Sequence, residues 1–297
     1  MNSRKKLLKI FLLALTLVLF VAYYFYNKES FSRIGDLSLL QAAIILVGQG
    51  LILLANVIIL SLVVKFFDKK ITFSDSARVT AYSSLINFFG FLQGGVGFRA
   101  VYLKKYFSIK YRNYVLVTML QYILLFALAA SLIFIGLSFT HSFFTISLVS
   151  LVTLIILFLV YLLLIRSNAR VVFFIKNKLN GIKFIFSSYK VLLLIGALLL
   201  QLLGSFIAYA TELHAIGADV TLGGLLIFTG VSQFSIVIAL TPGAIGIREA
   251  LLLVVQSQMM LSTDDIVVAS TIDRAIYFIA LALLVPIALN ARNKIKV

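Results

Sequence analysis

Six apolar runs of 19 to 26 residues dominate the chain: Leu7–Phe25, Leu39–Val64, Tyr114–Leu137, Phe143–Ile165, Val191–Thr211 and Ile266–Leu289. Crossing the hydrocarbon core of a bilayer takes about 20 residues of helix. Backbone polar groups at that depth must be satisfied within the chain, which leaves helices and closed barrels as spanning structures. Unbroken apolar runs without period-two alternation specify helices. Hydrophobic residues are 62% and charged residues 12% of the chain, against about half and about a quarter in soluble domains. A water-soluble enzyme is therefore excluded. With no cysteine, two histidines and no tryptophan, disulfide frameworks, thiol chemistry and cysteine-based metal sites are excluded too.

The basic start Arg4-Lys5-Lys6 precedes an apolar run that ends in Tyr23-Tyr24-Phe25-Tyr26. A signal peptide has a shorter core ending in small residues, so the expectation is a retained first helix over residues 7–26 with a cytoplasmic basic end. The remaining charges set the topology. The formal net charge is +16, which must first be tested as loop charge of the positive-inside kind. Two further stretches, Val79–Phe98 and Thr221–Met260, are apolar but interrupted by glycine and polar residues. If the first crossed, Arg99, Lys104, Lys105, Lys110 and Arg112 would lie outside; if it dips and returns, they stay cytoplasmic. The last span begins at Asp264-Asp265 and ends at Arg292, Lys294 and Lys296, so it runs outside to inside, and both flanks of Thr221–Met260 are outside. With two dips, 22 of the 26 basic residues fall on the cytoplasmic side or at its mouth. No nucleic-acid partner is needed to explain the charge.

The two dips repeat each other. Gly94, Gly97, Arg99 and Leu103 precede Gly243, Gly246, Arg248 and Leu252 by 149 residues, and Ser83 precedes Ser232 in the same register. Each dip lies between two spans in the same order, yet the halves start on opposite faces. The expected architecture is an all-α polytopic membrane protein, a single membrane domain over residues 1–297. It has about six transmembrane helices and two re-entrant hairpins in an inverted-topology repeat. Repeat 1 covers 38–137 with its re-entrant segment at 79–113, and repeat 2 covers 187–290 with its own at 220–263. A linking helix at 143–165 joins them. Such folds place broken helices near the midplane, around a polar site.

The run Thr241-Pro242-Gly243-Ala244-Ile245-Gly246-Ile247-Arg248-Glu249 breaks a helix and restarts one. A restarted helix aims free N–H groups at the break, which suits an anion, and a guanidinium fork suits phosphate. Asp273-Arg274 sits seven or eight residues into the last span. Ionised groups there cost about 2.5–3.5 kcal/mol each, so Arg248, Glu249, Asp273 and Arg274 are expected to be paired or wetted. They form either a structural network or a headgroup, ion or proton path. In the first dip, Asn87, Gln93, Gly94, Gly95, Gly97 and Arg99 take the matching positions, with Gln93 in place of Pro242 and Ala100 in place of Glu249. Gly94, Gly95, Gly97, Pro242, Gly243 and Gly246 are the expected turn and hinge residues. Asp264-Asp265 reads as a helix cap. The absence of a G-x-x-x-x-G-K sequence disfavours an ATP-driven pump.

The Pro242-Gly243-x-x-Gly246-x-Arg248-Glu249 run with Asp273-Arg274 resembles the lysylphosphatidylglycerol synthase transmembrane family, also called flippase-like integral membrane proteins. Gly97, Arg99 and Tyr102-Leu103-Lys104 are similar to that family's first glycine motif. The resemblance implies the membrane half of enzymes that aminoacylate phosphatidylglycerol and flip the product. The sequence leaves no room for a soluble synthase domain, so only lipid handling is carried over, and the expectation is a transporter rather than an enzyme. The expected partner is an anionic phospholipid or a polyprenyl-phosphate-linked lipid, with Arg248 on the phosphate, Arg99 as its counterpart, and Glu249 and Asp273 balancing charge or coupling protons. No cofactor or metal is expected. The protein is placed in the plasma membrane with both termini cytoplasmic. The alternatives are a membrane-embedded transferase acting on a lipid-linked substrate, or a non-catalytic partner of a lipid-synthesis enzyme.

Overall fold

The structure, a computed structural model, describes residues 32–89, 94–140, 189–237 and 246–292, together with Thr241 and Ala244. Every regular element among the described residues is a helix. They are α1 (Leu39–Lys65), α2 (Phe73–Phe89), α3 (Gly94–Phe107), α4 (Tyr111–Thr140), α5 (Tyr189–Ala215), α6 (Leu222–Val237), α7 (Ile247–Val254), α8 (Gln256–Met259) and α9 (Thr263–Arg292). A short 3-10 turn over Arg33–Asp36 precedes α1. Within α1, α4, α5 and α9, four segments are long and apolar enough to cross a membrane. The chain is a multi-pass membrane protein in which four of the expected spans are seen. The expected first helix at 7–26 and linking helix at 143–165 lie outside the described residues.

The local chemistry explains the boundaries. Ser38 caps α1 by accepting from the Gln41 amide, and the Gln41 side chain returns to the Ser38 amide, a reciprocal cap that satisfies two orphan donors. At the start of α9, the Ser262 hydroxyl accepts from the Asp265 amide while Asp265 accepts from the Ser262 amide at 3.0 Å. Asp265 is therefore the cap expected from the sequence, and it also holds Arg33 at 2.7 Å. Spans α1 and α4 are apolar on all faces, as a helix must be when lipid surrounds whatever protein does not. Val47, Ile123, Leu192 and Leu283 are each at least 60% exposed, which in a bilayer is contact with acyl chains.

Helices of 17 residues in α2 and 14 in α3 are each shorter than a span, and the two pack against each other. The second interrupted stretch likewise divides into α6, a break, and α7 with α8. Two apolar clusters show where these hairpins sit. One unites Ile59–Val64 of α1, Phe66 just past its end, Val79, Leu103, Ile109, the first half of α4 and Leu194–Leu202 of α5. The other unites Ile45, Ala208–Leu213 of α5, Ile216 just past its end, Leu225–Val231 of α6, Leu252, Met259 and Ile266–Ile276 of α9. The outer ends of α2 and α3 thus belong to the first cluster, and those of α6 and α8 to the second.

Between the halves, α1 lies along α5 and α4 along α6. The α1–α5 contact is closest where two glycines meet. A Cβ on Gly48 would lie 2.7 Å from the Gly204 carbonyl oxygen, and one on Gly204 2.6 Å from that of Gly48. Small residues let membrane helices approach to backbone contact, where dispersion rather than the hydrophobic effect holds them. Gly204→Leu should separate α1 from α5, costing about 1–3 kcal/mol as an overpacked contact and lowering the apparent Tm of the purified protein. Gly50→Ala, where an added methyl meets open space, should leave Tm unchanged in the same thermal melt.

Candidate headgroup-binding cavity

Residues flanking the break in each hairpin, Asn87 and Val96 in the first and Thr241, Ala244 and Arg248 in the second, line one cavity of about 240 Å³. Its walls are polar to a degree the surrounding spans are not: Gln49 and Asn56 come from α1, Asn87 from α2, Gln121 and Tyr122 from α4, Gln201 and Tyr209 from α5, and Gln233 from α6. Arg99, Arg248, Asp273 and Arg274 bring charge to it.

The second hairpin builds its side from the break upward. Ala244 and Gly246 adopt positive φ, +56° and +82°, and at Gly246 that conformation favours a residue without Cβ. The Gly246 amide then donates to Glu249 Oε2 at 2.8 Å, so the third residue of α7 caps its own helix. This start places Arg248 against α9. Arg248 Nη1 binds Asp273 Oδ2 at 2.5 Å, Nη2 donates to the Ser270 carbonyl at 3.3 Å, and Nε lies 3.7 Å from Glu249 Oε1. The Tyr209 hydroxyl is 3.5 Å from Nη1. Gln49 Nε2 donates to the other Asp273 oxygen at 2.5 Å, tying α1 into the group. Arg274 Nη2 closes the chain on Glu249 Oε1 at 2.6 Å. Two guanidiniums alternate with two carboxylates, so the four charges expected to be paired are paired, and this side of the cavity is neutral.

The first hairpin is built differently. Asn87 Oδ1 accepts from the Gly95 amide at 2.7 Å and bridges α2 to α3. A Cβ on Gly95 would lie 2.6 Å from that same oxygen, so the close approach requires glycine. Arg99, only 9% exposed, donates Nε to Ser83 Oγ at 2.6 Å. Ser83 and Ser232 share a register in sequence, yet no carboxylate stands in the first half where Glu249 and Asp273 stand in the second. Among the described residues Arg99 has no ion-pair partner.

Of the residues expected from sequence, Asn87, Arg99, Arg248, Asp273 and Arg274 line the cavity, and Glu249 supports it from behind. Gly94 opens α3 and Gly97 lies within its first turn. Gln93, Pro242 and Gly243 lie outside the described residues. Gln49 and Tyr209 were not anticipated. Nor was a ladder in which Gln201 Nε2 donates to Gln233 Oε1 at 2.9 Å and Gln233 Nε2 to Ser205 Oγ at 2.7 Å. Their signal was an amide in an otherwise apolar run. Glu212, just past the apolar run that ends at Thr211, is fully buried in the last turn of α5. Among the described residues no group of three metal-ligating side chains converges.

Removing one partner of a buried pair strands the other. Asp273→Asn should leave Arg248 with no carboxylate but the 3.7 Å contact to Glu249 and destabilise the protein by about 3–5 kcal/mol, seen as a large fall in apparent Tm. A Tm within experimental scatter of wild type would show that the network carries no such load.

Comparison with curated proteins and with solved structures found no match. The family described as lysylphosphatidylglycerol synthase TM region matches residues 7–284.

Proposed function

We propose, from the premise that the chain belongs to the lysylphosphatidylglycerol synthase TM region family, that it binds the anionic headgroup of a phospholipid or polyprenyl-phosphate-linked lipid in this cavity and moves it across the membrane. The observation that carries this reading is Arg99. A buried cation without a counter-ion is costly unless something neutralises it, and the one at Arg99 borders a polar cavity rather than a protein carboxylate. A phosphate meets that need in charge, and a guanidinium donates two parallel hydrogen bonds to it. Arg248 is already committed to Asp273 and Glu249, so it completes the site by position and field while Arg99 supplies the charge. About 240 Å³ accommodates a headgroup and not acyl chains, so the tails remain in the bilayer. The amides of Asn56, Gln121 and Gln201 offer donors and acceptors to the rest of the headgroup.

The pairing of elements supports an inverted repeat. Exchanging α1 with α5, α2 with α6, α3 with α7 and α8, and α4 with α9 maps neighbours onto neighbours: α4 lies on α6 as α9 lies on α2, and α3 packs on α4 as α7 packs on α9. Opposite placement of the hairpin ends in the two apolar clusters supports the same symmetry. Charge supports the orientation. Lys65, Lys104, Lys105, Lys110, Arg112 and Lys190 gather at the end where α2 enters and α3 leaves, and Asp36, Asp219, Asp264 and Asp265 at the other. The basic end is then cytoplasmic, and both termini with it. Access alternates between the faces as one hairpin moves against the other around a fixed site.

Native mass spectrometry of the protein released from its membrane tests the reading. Wild type should retain an anionic lipid, and Arg99→Gln should lose about 1.5–3 kcal/mol of binding, a charge-assisted hydrogen bond, hence about tenfold or more in retention. Arg99→Gln strands no carboxylate, so its Tm should stay near wild type. Equal retention of the lipid by the variant would refute the role given to Arg99.

A further inference from the structure

Glu212 has no part in the network just described, although it is the most deeply buried carboxyl group among the described residues. It is fully inaccessible, and neither oxygen has a hydrogen-bond partner there. It sits on α5 one turn after Tyr209, whose ring packs on Phe228 at 5.2 Å and whose hydroxyl reaches Arg248. The groups in its electrostatic reach are Asp273 of α9, Arg248 of α7 and Tyr209 on its own helix. Glu249 and Arg274 lie one bond further along the network, paired to each other. Ser232 and Gln233, buried on α6, do not titrate, and neither does Gln49, buried on α1. Arg33, which touches the Ile216 carbonyl just past the end of α5, is held by Asp265. Among the described residues, the cations near Glu212 are already held by other carboxylates, and no donor solvates it. A carboxyl group in such a place persists only as the neutral acid.

We propose that Glu212 is a proton-carrying site that controls anion binding in the cavity. The charge count gives the mechanism. With Glu212 neutral, three guanidiniums at the cavity, Arg99, Arg248 and Arg274, stand against the carboxylates of Asp273 and Glu249, and one positive charge is in excess. That excess is what an anionic headgroup neutralises. If Glu212 gives its proton to water at the nearby end of α5, its carboxylate cancels the excess from within and competes with Asp273 for Arg248. Headgroup binding and proton retention then favour each other, and by linkage the coupling is reciprocal. The inference rests on the anionic-headgroup reading above. It adds that translocation is tied to a proton taken up and released on the acidic face.

Infrared difference spectroscopy of wild type against Glu212→Gln in phosphatidylcholine vesicles reads the proton directly and requires no ligand. At neutral pH the difference should contain the carbonyl stretch of a protonated carboxylic acid lost in the variant. A difference made only of carboxylate bands, at neutral and mildly acidic pH alike, overturns the proposal. The same vesicles titrated with phosphatidylglycerol test the coupling. Wild-type affinity should fall as pH rises through the disappearance of that band, on the order of tenfold for one charge acting across about 10 Å at an effective dielectric of about 20. Glu212→Gln, locked neutral, should bind with a flat pH profile. Parallel profiles overturn the coupling while leaving the headgroup reading intact. Absence of phosphatidylglycerol binding to wild type at every pH overturns the headgroup reading and the coupling with it, and the carboxylic acid band still decides whether Glu212 holds a proton.

Discussion

Charge at membrane depth has to be neutralised by the protein itself, and the alternating chain of Arg248, Asp273, Glu249 and Arg274 is how this molecule meets that requirement. No water-filled exterior is available to solvate a guanidinium beside a lipid tail. The chain of pairs fixes α7 on α9, and Gln49 carries the connection to α1. The broken segment before α7 is tolerated for the same reason. Its free amide at Gly246 is satisfied by Glu249, a member of the same network. Fold and site therefore share one set of contacts. A substitution that frees one of these charges disturbs the position of a helix and not merely the polarity of a pocket.

The two halves meet this requirement unequally. The second half carries its own counter-charges, whereas the first presents Arg99 with a serine hydroxyl and a cavity. Ala100 occupies the position that corresponds to Glu249, so the carboxylate is missing by sequence and not by conformation. An inverted repeat with identical halves would hold a symmetric, self-neutralised centre. The asymmetry instead leaves one uncompensated charge, which an anionic ligand can use and which a buried proton at Glu212 can preserve.

Hydropathy was enough to read the four spans seen in α1, α4, α5 and α9 and the interruption of two segments, and the rarity of charge at depth singled out Arg99, Arg248 and Asp273. Those features follow from sums over many residues or from residue types that are rarely tolerated in lipid. The amides Gln49, Gln201 and Gln233 were not legible, because one amide in a long apolar run leaves the sum unchanged and its direction depends on helix register. The burial of Glu212 was not legible for a related reason. The apolar run ends at Thr211, but α5 continues to Ala215, and α6 and α9 pack against that helix. Burial there is a property of the neighbours, which a count along one segment does not contain.

Sidedness of the first hairpin is the feature on which the shared cavity and the mirrored halves both depend. Lys105 lies at the exposed end of α3, three residues before the Ser108 turn into α4. With Lys105→Cys in a chain that has no other cysteine, a thiol reagent unable to cross membranes can be applied to intact cells. Hairpins that enter and return on their own faces predict no labelling until the membrane is permeabilised, and full labelling thereafter. Labelling of intact cells from the outside would mean that the segment crosses, and would contradict the mirrored arrangement.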